Sequence, residues 1–115
     1  MPKDCIFCQI AQGNAAADVL YQDDEVTAFH DAHPQAPTHI LIIPNRHIRT
    51  LKATGEEDIP LLGKLLAVAR DLAEEADVAQ SGYRLVLNTD EQSGQTVFHL
   101  HLHLLGGRRM GWPPG

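Results

Sequence analysis

Polar and apolar residues alternate most sharply in His99-Leu100-His101-Leu102-His103-Leu104-Leu105, a period-two pattern that predicts a half-buried strand. One face would carry only leucine. The other would present three imidazoles, spaced roughly 6.6–6.8 Å apart at a rise of about 3.3–3.4 Å per residue. Upstream, residues 38–43 are apolar and β-branched enough for a central strand, which Pro44 closes. Residues 19–21 and 26–30 read as short strands around the polar turn Gln22-Asp23-Asp24, and residues 83–89 as another. Between them, residues 31–37 form a loop restricted by Pro34 and Pro37. Asp90 to Gln95 is a polar, glycine-containing turn, and the final strand ends at Gly106-Gly107.

Two segments carry the helical period instead. Asp4 is placed to cap a short helix running to about Gln12, with Gly13 ending it. Asp58 is placed to cap a long one, with Pro60 tolerable in its first turn, covering residues 61–76. Its apolar positions (Leu61, Leu62, Leu65, Leu66, Val68, Ala69, Leu72, Ala73 and Ala76) exceed the single stripe that a helix lying on a sheet requires. Arg70, Glu74, Glu75 and Asp77 are left for solvent. Too little chain remains to wrap the excess, so the pattern predicts contact with a symmetry-related copy, a homodimer.

The 115 residues suffice for one domain, residues 1–115, with one core. A net charge of −6, with no basic cluster larger than Arg108-Arg109, argues against coating a nucleic acid. Any phosphate ligand must then be a small, buried anionic group. The longest strand-like apolar run, Ile40 to Ile43, is too short to span a membrane. No leader is visible in Met1-Pro2-Lys3-Asp4-Cys5-Ile6-Phe7-Cys8, which sets the expectation of a cytoplasmic protein. In a reducing compartment Cys5 and Cys8 are thiols or metal ligands sooner than a disulfide. On its own, Cys-x-x-Cys is compatible with metal binding, redox activity or two buried thiols.

Three neighbouring imidazoles point to proton transfer, nucleophilic attack or metal binding, because histidine titrates near neutrality. Two histidines at i and i+2 can share a zinc, but three along a regular strand span too far for one ion. Plain packing is a poor account, since each buried ring nitrogen would need its own partner.

The His-x-His-x-His-x-x pattern resembles the histidine-triad (HIT) nucleotide-binding family, and more narrowly its Hint branch. The likeness covers essentially the whole chain. It includes Tyr21-Gln22-Asp23-Asp24, Ala28-Phe29-His30-Asp31, Pro34-Gln35-Ala36-Pro37-Thr38-His39 and Trp112-Pro113-Pro114-Gly115. The resemblance implies an α+β fold whose antiparallel sheet, with one long and one short helix, continues across a homodimer. It also implies hydrolysis of the P–N bond of purine nucleoside 5′-phosphoramidates through a nucleotidyl-histidine, releasing AMP or GMP and an amine.

The position matching the family nucleophile is His101. An imidazole is largely neutral at pH 7 and needs no deprotonation to attack, provided its other nitrogen is fixed, most simply by a backbone carbonyl. His103 and His39 match the residues that hold the α-phosphate oxygens and help to pass a proton. Thr96 falls where the family places a hydroxyl near the leaving nitrogen. Asn88, Gly94 and Gln95 match the phosphate-side loop. Asp31 matches the acid that grips the ribose hydroxyls, although a turn-capping aspartate reads equally well from the residues alone. Phe29 and Ile40 are expected near the base.

Several bacterial relatives in the wider family use paired cysteines for zinc, with ligands matching His47 and His99, whereas many Hint proteins lack both cysteines. Cys5, Cys8, His47 and His99 would form a closed, structural Cys2His2 set, with no metal needed for catalysis. By the same resemblance the tail, residues 108–115, extends towards the partner's site, where Trp112 would shape the leaving-group pocket. Gly111 departs from the larger polar residue many relatives carry there. Three other readings compete: a non-catalytic nucleotide-binding or regulatory protein, a dinucleoside polyphosphate hydrolase, and a zinc-carrying protein.

Overall fold

The computed structural model describes residues 4–115. Seven regular elements run in the order α1 (Ile6–Ala11), β1 (Val19–Gln22), β2 (Val26–His30), β3 (Thr38–Pro44), α2 (Ile59–Glu75), β4 (Tyr83–Val86) and β5 (Leu102–Gly106). Short 3-10 turns occupy Leu51–Ala53, Glu56–Asp58 and Glu91–Ser93. The strands form one sheet in the order β1-β2-β3-β5-β4, and all its neighbours are antiparallel. This is the α+β architecture expected from the sequence.

Alternation along β3 divides the molecule into two layers. Ile40 and Ile42 join Val26, Ala28, Leu100, Leu102 and Leu104 under Leu65, Val68 and Leu72 of α2. Leu41 and Ile43 point the other way and pack with Phe29 beneath Phe7 and Ile10 of α1. A strand covered on both faces reads as continuously apolar, which is why residues 38–43 show no alternation.

Several elements begin or end differently from their predicted limits. The histidine strand starts at Leu102, not His99. Ile42 pairs with Leu102, so the same register would set Leu100 opposite Pro44, which has no amide hydrogen to give. The Leu100 amide instead donates to the Ile48 carbonyl at 2.6 Å. The inward–outward alternation nevertheless persists, with His99 and Leu100 both fully buried. β4 stops at Val86, opposite His103, because its partner strand ends within one further residue.

In α1 the cap is Cys5 rather than Asp4, its Sγ accepting the Cys8 amide at 3.3 Å. Gly13, with φ at +77°, closes the segment after Gln12. Asp58 stands at the N-cap of α2, but its side chain makes no capping hydrogen bond there. Its Oδ2 accepts the Gly55 amide at 3.0 Å and its Oδ1 pairs with Arg46, so it serves the preceding 3-10 turn. Only one face of α2 is buried within a single chain, while Leu66 is 52% exposed and Ile59 62% exposed.

Candidate functional site

On the α1 side of the sheet lies a cleft of about 820 Å³. Its apolar wall comes from Ile6, Phe7, Ile10, Phe29, Leu41 and Val97, and its polar wall from Asp31, His39, Thr96, His101 and His103. His39 and Leu41 reach it from β3, and His103 from β5, where it pairs with Leu41. His101 arrives from the irregular segment just before β5.

Hydrogen bonds fix the ring tautomers. His101 Nδ1 lies 2.8 Å from the His99 carbonyl. A carbonyl only accepts, so Nδ1 carries the proton and Nε2 keeps its lone pair. A second chain runs the opposite way. The Gln35 amide donates to His39 Nδ1 at 3.0 Å, leaving the proton on His39 Nε2. That nitrogen lies 2.9 Å from His103 Nδ1 and 3.4 Å from Asp31 Oδ2. Accepting at Nδ1 leaves His103 with a protonated Nε2, a buried donor with no partner among the described residues. Two adjacent rings, 4.9 Å apart at their centroids, thus present opposite functions: a lone pair at His101 and an N–H at His103.

Electrostatics keep these rings neutral. Burial holds His101 below the ordinary histidine range, against the opposing His99 carbonyl and Asp31 carboxylate. Burial also lowers His39, again against Asp31. His103 is brought down to about 4 by burial and then by its His101 and His39 neighbours. A neutral imidazole with a fixed lone pair is a competent nucleophile near pH 7.

The remaining predicted site residues divide. Asp31 lines the cleft while its Oδ1 accepts the His33 amide at 2.8 Å, so it also secures the loop. Phe29 forms part of the apolar wall and meets the Phe7 ring edge-on at 5.5 Å. Thr96 lines both this cleft and a neighbouring one of about 440 Å³ shared with His47 and Arg49. Ile40 does not reach the cleft, because it faces α2 in the main core. Asn88, Gly94 and Gln95 also stand outside its wall. Gln95 braces the loop instead, accepting from the Asp90 amide and donating to the Arg49 and Val97 carbonyls. Gly94 closes the adjacent 3-10 turn at a φ of +89°. Trp112 is 82% exposed in the single chain, on a tail held by Arg84 through the Gly111 carbonyl.

Sequence reasoning missed Ile6, Phe7 and Ile10 as cleft residues. Their i, i+1, i+4 spacing marks one face of a helix, and that face was the available signal. The expected role of Ile40 fails on parity: neighbouring strand residues point to opposite faces, so Ile40 cannot share the side of His39.

A second cluster sits behind the cleft. The ligand atoms of Cys5, Cys8, His47 and His99 all lie within 4.8 Å of one another. His99 Nδ1 is 3.3 Å from Cys5 Sγ and 3.5 Å from Cys8 Sγ, and His47 Nδ1 is 3.3 Å from Cys8 Sγ. On its far side, His99 Nε2 lies 2.8 Å from the Pro44 carbonyl. The proton therefore sits on Nε2, and the Nδ1 lone pair faces the thiols as a metal ligand requires. Burial, followed by the hydrogen bond to Cys5, pushes the Cys8 thiol up to about 11, a penalty that a bound cation reverses by stabilising thiolate. These four residues can hold a metal ion.

Comparison with known proteins agrees with this geometry. The family model for the HIT domain matches residues 12–110. The chain is 49% identical over 111 residues to the purine nucleoside phosphoramidase of Escherichia coli (strain K12), covering 96% of this chain and 93% of that protein. The crystal structure of a HIT family hydrolase from Legionella pneumophila is similar with a TM-score of 0.95 at 50% identity, covering 97% of this chain and 100% of that one. A histidine triad protein from Clostridium difficile gives a TM-score of 0.93 at 36% identity, covering 96% of each chain. The chain belongs to the HIT domain family.

Proposed function

We propose that this HIT-domain protein hydrolyses purine nucleoside 5′-phosphoramidates, using His101 as the nucleophile. The observation that carries the reading is the bond from His101 Nδ1–H to the His99 carbonyl, which leaves Nε2 free to attack in the wall of a cleft of nucleotide size. The likeness to a purine nucleoside phosphoramidase supports the substrate class.

The nucleoside lies against Ile6, Phe7, Ile10 and Phe29, with the ribose hydroxyls on Asp31. His101 Nε2 attacks the α-phosphorus, a P–Nε2 bond forms and the P–N bond to the amine breaks. The departing nitrogen takes up a proton from water in the cleft, which the attacking water of the second step returns, and Thr96, in the wall of the same cleft, is the hydroxyl assigned to this transfer. Charge gathering on the phosphoryl oxygens meets the preset His103 Nε2–H. Water then attacks phosphorus, the P–Nε2 bond breaks, and nucleoside monophosphate leaves. His39 and His103 relay the proton. The outlying Asn88, Gly94 and Gln95 act by shaping the loop that carries Thr96.

The Cys5, Cys8, His47 and His99 set is read as a structural zinc site, on the strength of its two sulfur and two nitrogen donors. When bound, zinc supplies cross-linking and thiolate stabilisation there, and no step of the hydrolysis. A homodimer completes the reading, supported by the exposed Leu66 and Ile59 of α2 and by the unpaired edge of β4. The tail, with Trp112, would then approach the partner's cleft. No helix among the described residues is long and apolar enough to cross a membrane, and the free thiols suit a cytoplasmic location.

The test is acid-quenched intact mass spectrometry after mixing with adenosine 5′-phosphoramidate. A transient adenylyl adduct together with released AMP is expected. AMP binding with neither adduct nor turnover would mark a nucleotide-binding module instead, and preferential cleavage of a dinucleoside polyphosphate would shift the substrate class.

A further inference from the structure

His99 belongs to both clusters. Its Nδ1 faces Cys5 and Cys8, while its backbone carbonyl sets the tautomer of His101. Phe7 makes a second link, its ring meeting His99 edge-on at 5.9 Å and His101 at 5.1 Å. Phe7 is also carried by α1, which has only six residues. A helix that short is not stable through its own hydrogen bonds, and its cap is the Cys5 sulfur itself. The two cysteines therefore anchor the segment that brings Ile6, Phe7 and Ile10 to the cleft.

We propose that a cation held by Cys5, Cys8, His47 and His99 positions the nucleophile and the apolar wall, so that metal occupancy and nucleotide binding are energetically coupled. This rests on the reading of His101 as nucleophile. His99 and Phe7 are positioning residues in this scheme. With the cation in place, His99 is clamped between the metal and the Pro44 carbonyl, and its own carbonyl is fixed in front of His101. With the cation removed, the His99 ring keeps its bond to the Pro44 carbonyl and α1 its apolar packing, but only weak thiol hydrogen bonds tie the two to each other. The wall loosens and His101 samples both tautomers. Coupling is reciprocal: whatever factor zinc adds to AMP affinity, AMP adds to zinc affinity.

The deciding measurement uses the full chain loaded with 113Cd, followed by NMR during titration with AMP. The cadmium resonance should move on saturation, although none of the four ligands lines the cleft. In zinc-loaded protein, ring 15N shifts should show His101 in the single Nδ1–H form, becoming a mixture after chelation, and AMP affinity should fall about tenfold. Because the cadmium experiment is made on the loaded chain, it decides even where the stripped chain unfolds. A cadmium resonance unmoved by bound AMP, or failure of the four residues to bind cadmium, overturns the inference while leaving the adenylyl adduct intact. Absence of both adduct and AMP binding removes the proposed function, and this inference with it.

Discussion

The two faces of the sheet are built by different means. Beneath α2, seventeen helical residues cover a layer made almost wholly of Val, Ile, Leu and Ala. Beneath α1, six helical residues cover a smaller apolar patch, and the rest of that face is imidazole, carboxylate and thiol. The α2 face holds itself together by area removed from water. The α1 face cannot, and relies on discrete bonds: thiol to imidazole, imidazole to carbonyl, amide to imidazole. Stability is concentrated on one side and chemistry on the other. Substitutions should therefore separate the two properties cleanly.

The largest effect is expected at His101. His101→Asn should lower turnover of adenosine phosphoramidate by roughly 10³-fold or more, with AMP binding still measurable by calorimetry. Turnover within tenfold of wild type would remove His101 from the nucleophilic role. Next, the two faces are set against each other. Leu65→Ala, in the α2 layer, should cost about 2–5 kcal/mol in urea unfolding and leave kcat/KM of the folded protein unchanged. Phe7→Leu gives up aromatic contacts worth about 0.5–1.5 kcal/mol, so AMP affinity should fall roughly 2- to 13-fold. Equal effects of both substitutions on AMP binding would break the distinction.

A smaller effect follows from acid. The folded His103 binds its proton only near pH 4, whereas an unfolded chain takes it up near pH 6.5. Protonation therefore favours the unfolded state across that window. Stability should be complete above about pH 6.5 and decline towards pH 4, by at most about 1.4 kcal/mol per pH unit for this residue. Urea titrations at pH 7, 6 and 5 check the slope, and His103→Gln should reduce it without removing it, because burial lowers His39, His99 and His101 as well. The least effect on the fold is expected from Leu66→Glu, within about 0.5 kcal/mol for an exposed site. Light scattering should nevertheless show the particle mass halved, and an unchanged dimer would remove α2 from the interface.

Much of this division was legible in the sequence, for reasons that differ by element. The α2 layer follows from period alone, and the candidacy of His101 and His103 follows from residue type, whereas their opposite tautomers depend on the His99 carbonyl and the Gln35 amide. The strand's late start at Leu102 depends on Pro44, a residue distant in sequence that meets it only through the register. Ile40, expected near the base, lies on the α2 side of β3, as alternation from His39 already indicates. Ile6, Phe7 and Ile10 were read as an ordinary helix, because nothing local states which layer a short amphipathic segment will cover. The bracing role of Gln95 likewise exists only through carbonyls that the folded loop brings within reach.

Strand β3 has a consequence for how the chain can change. It is one ribbon with two owners: Ile40 and Ile42 belong to one layer, His39 and Leu41 to the other. Deleting a single residue there would exchange the sides of everything beyond it, presenting greasy branches to the nucleotide and an imidazole to the main core. Point replacements can diversify either side independently, but the length of this segment is locked. The tolerance for insertions must lie in connections that do not line the cleft, where no such parity is kept.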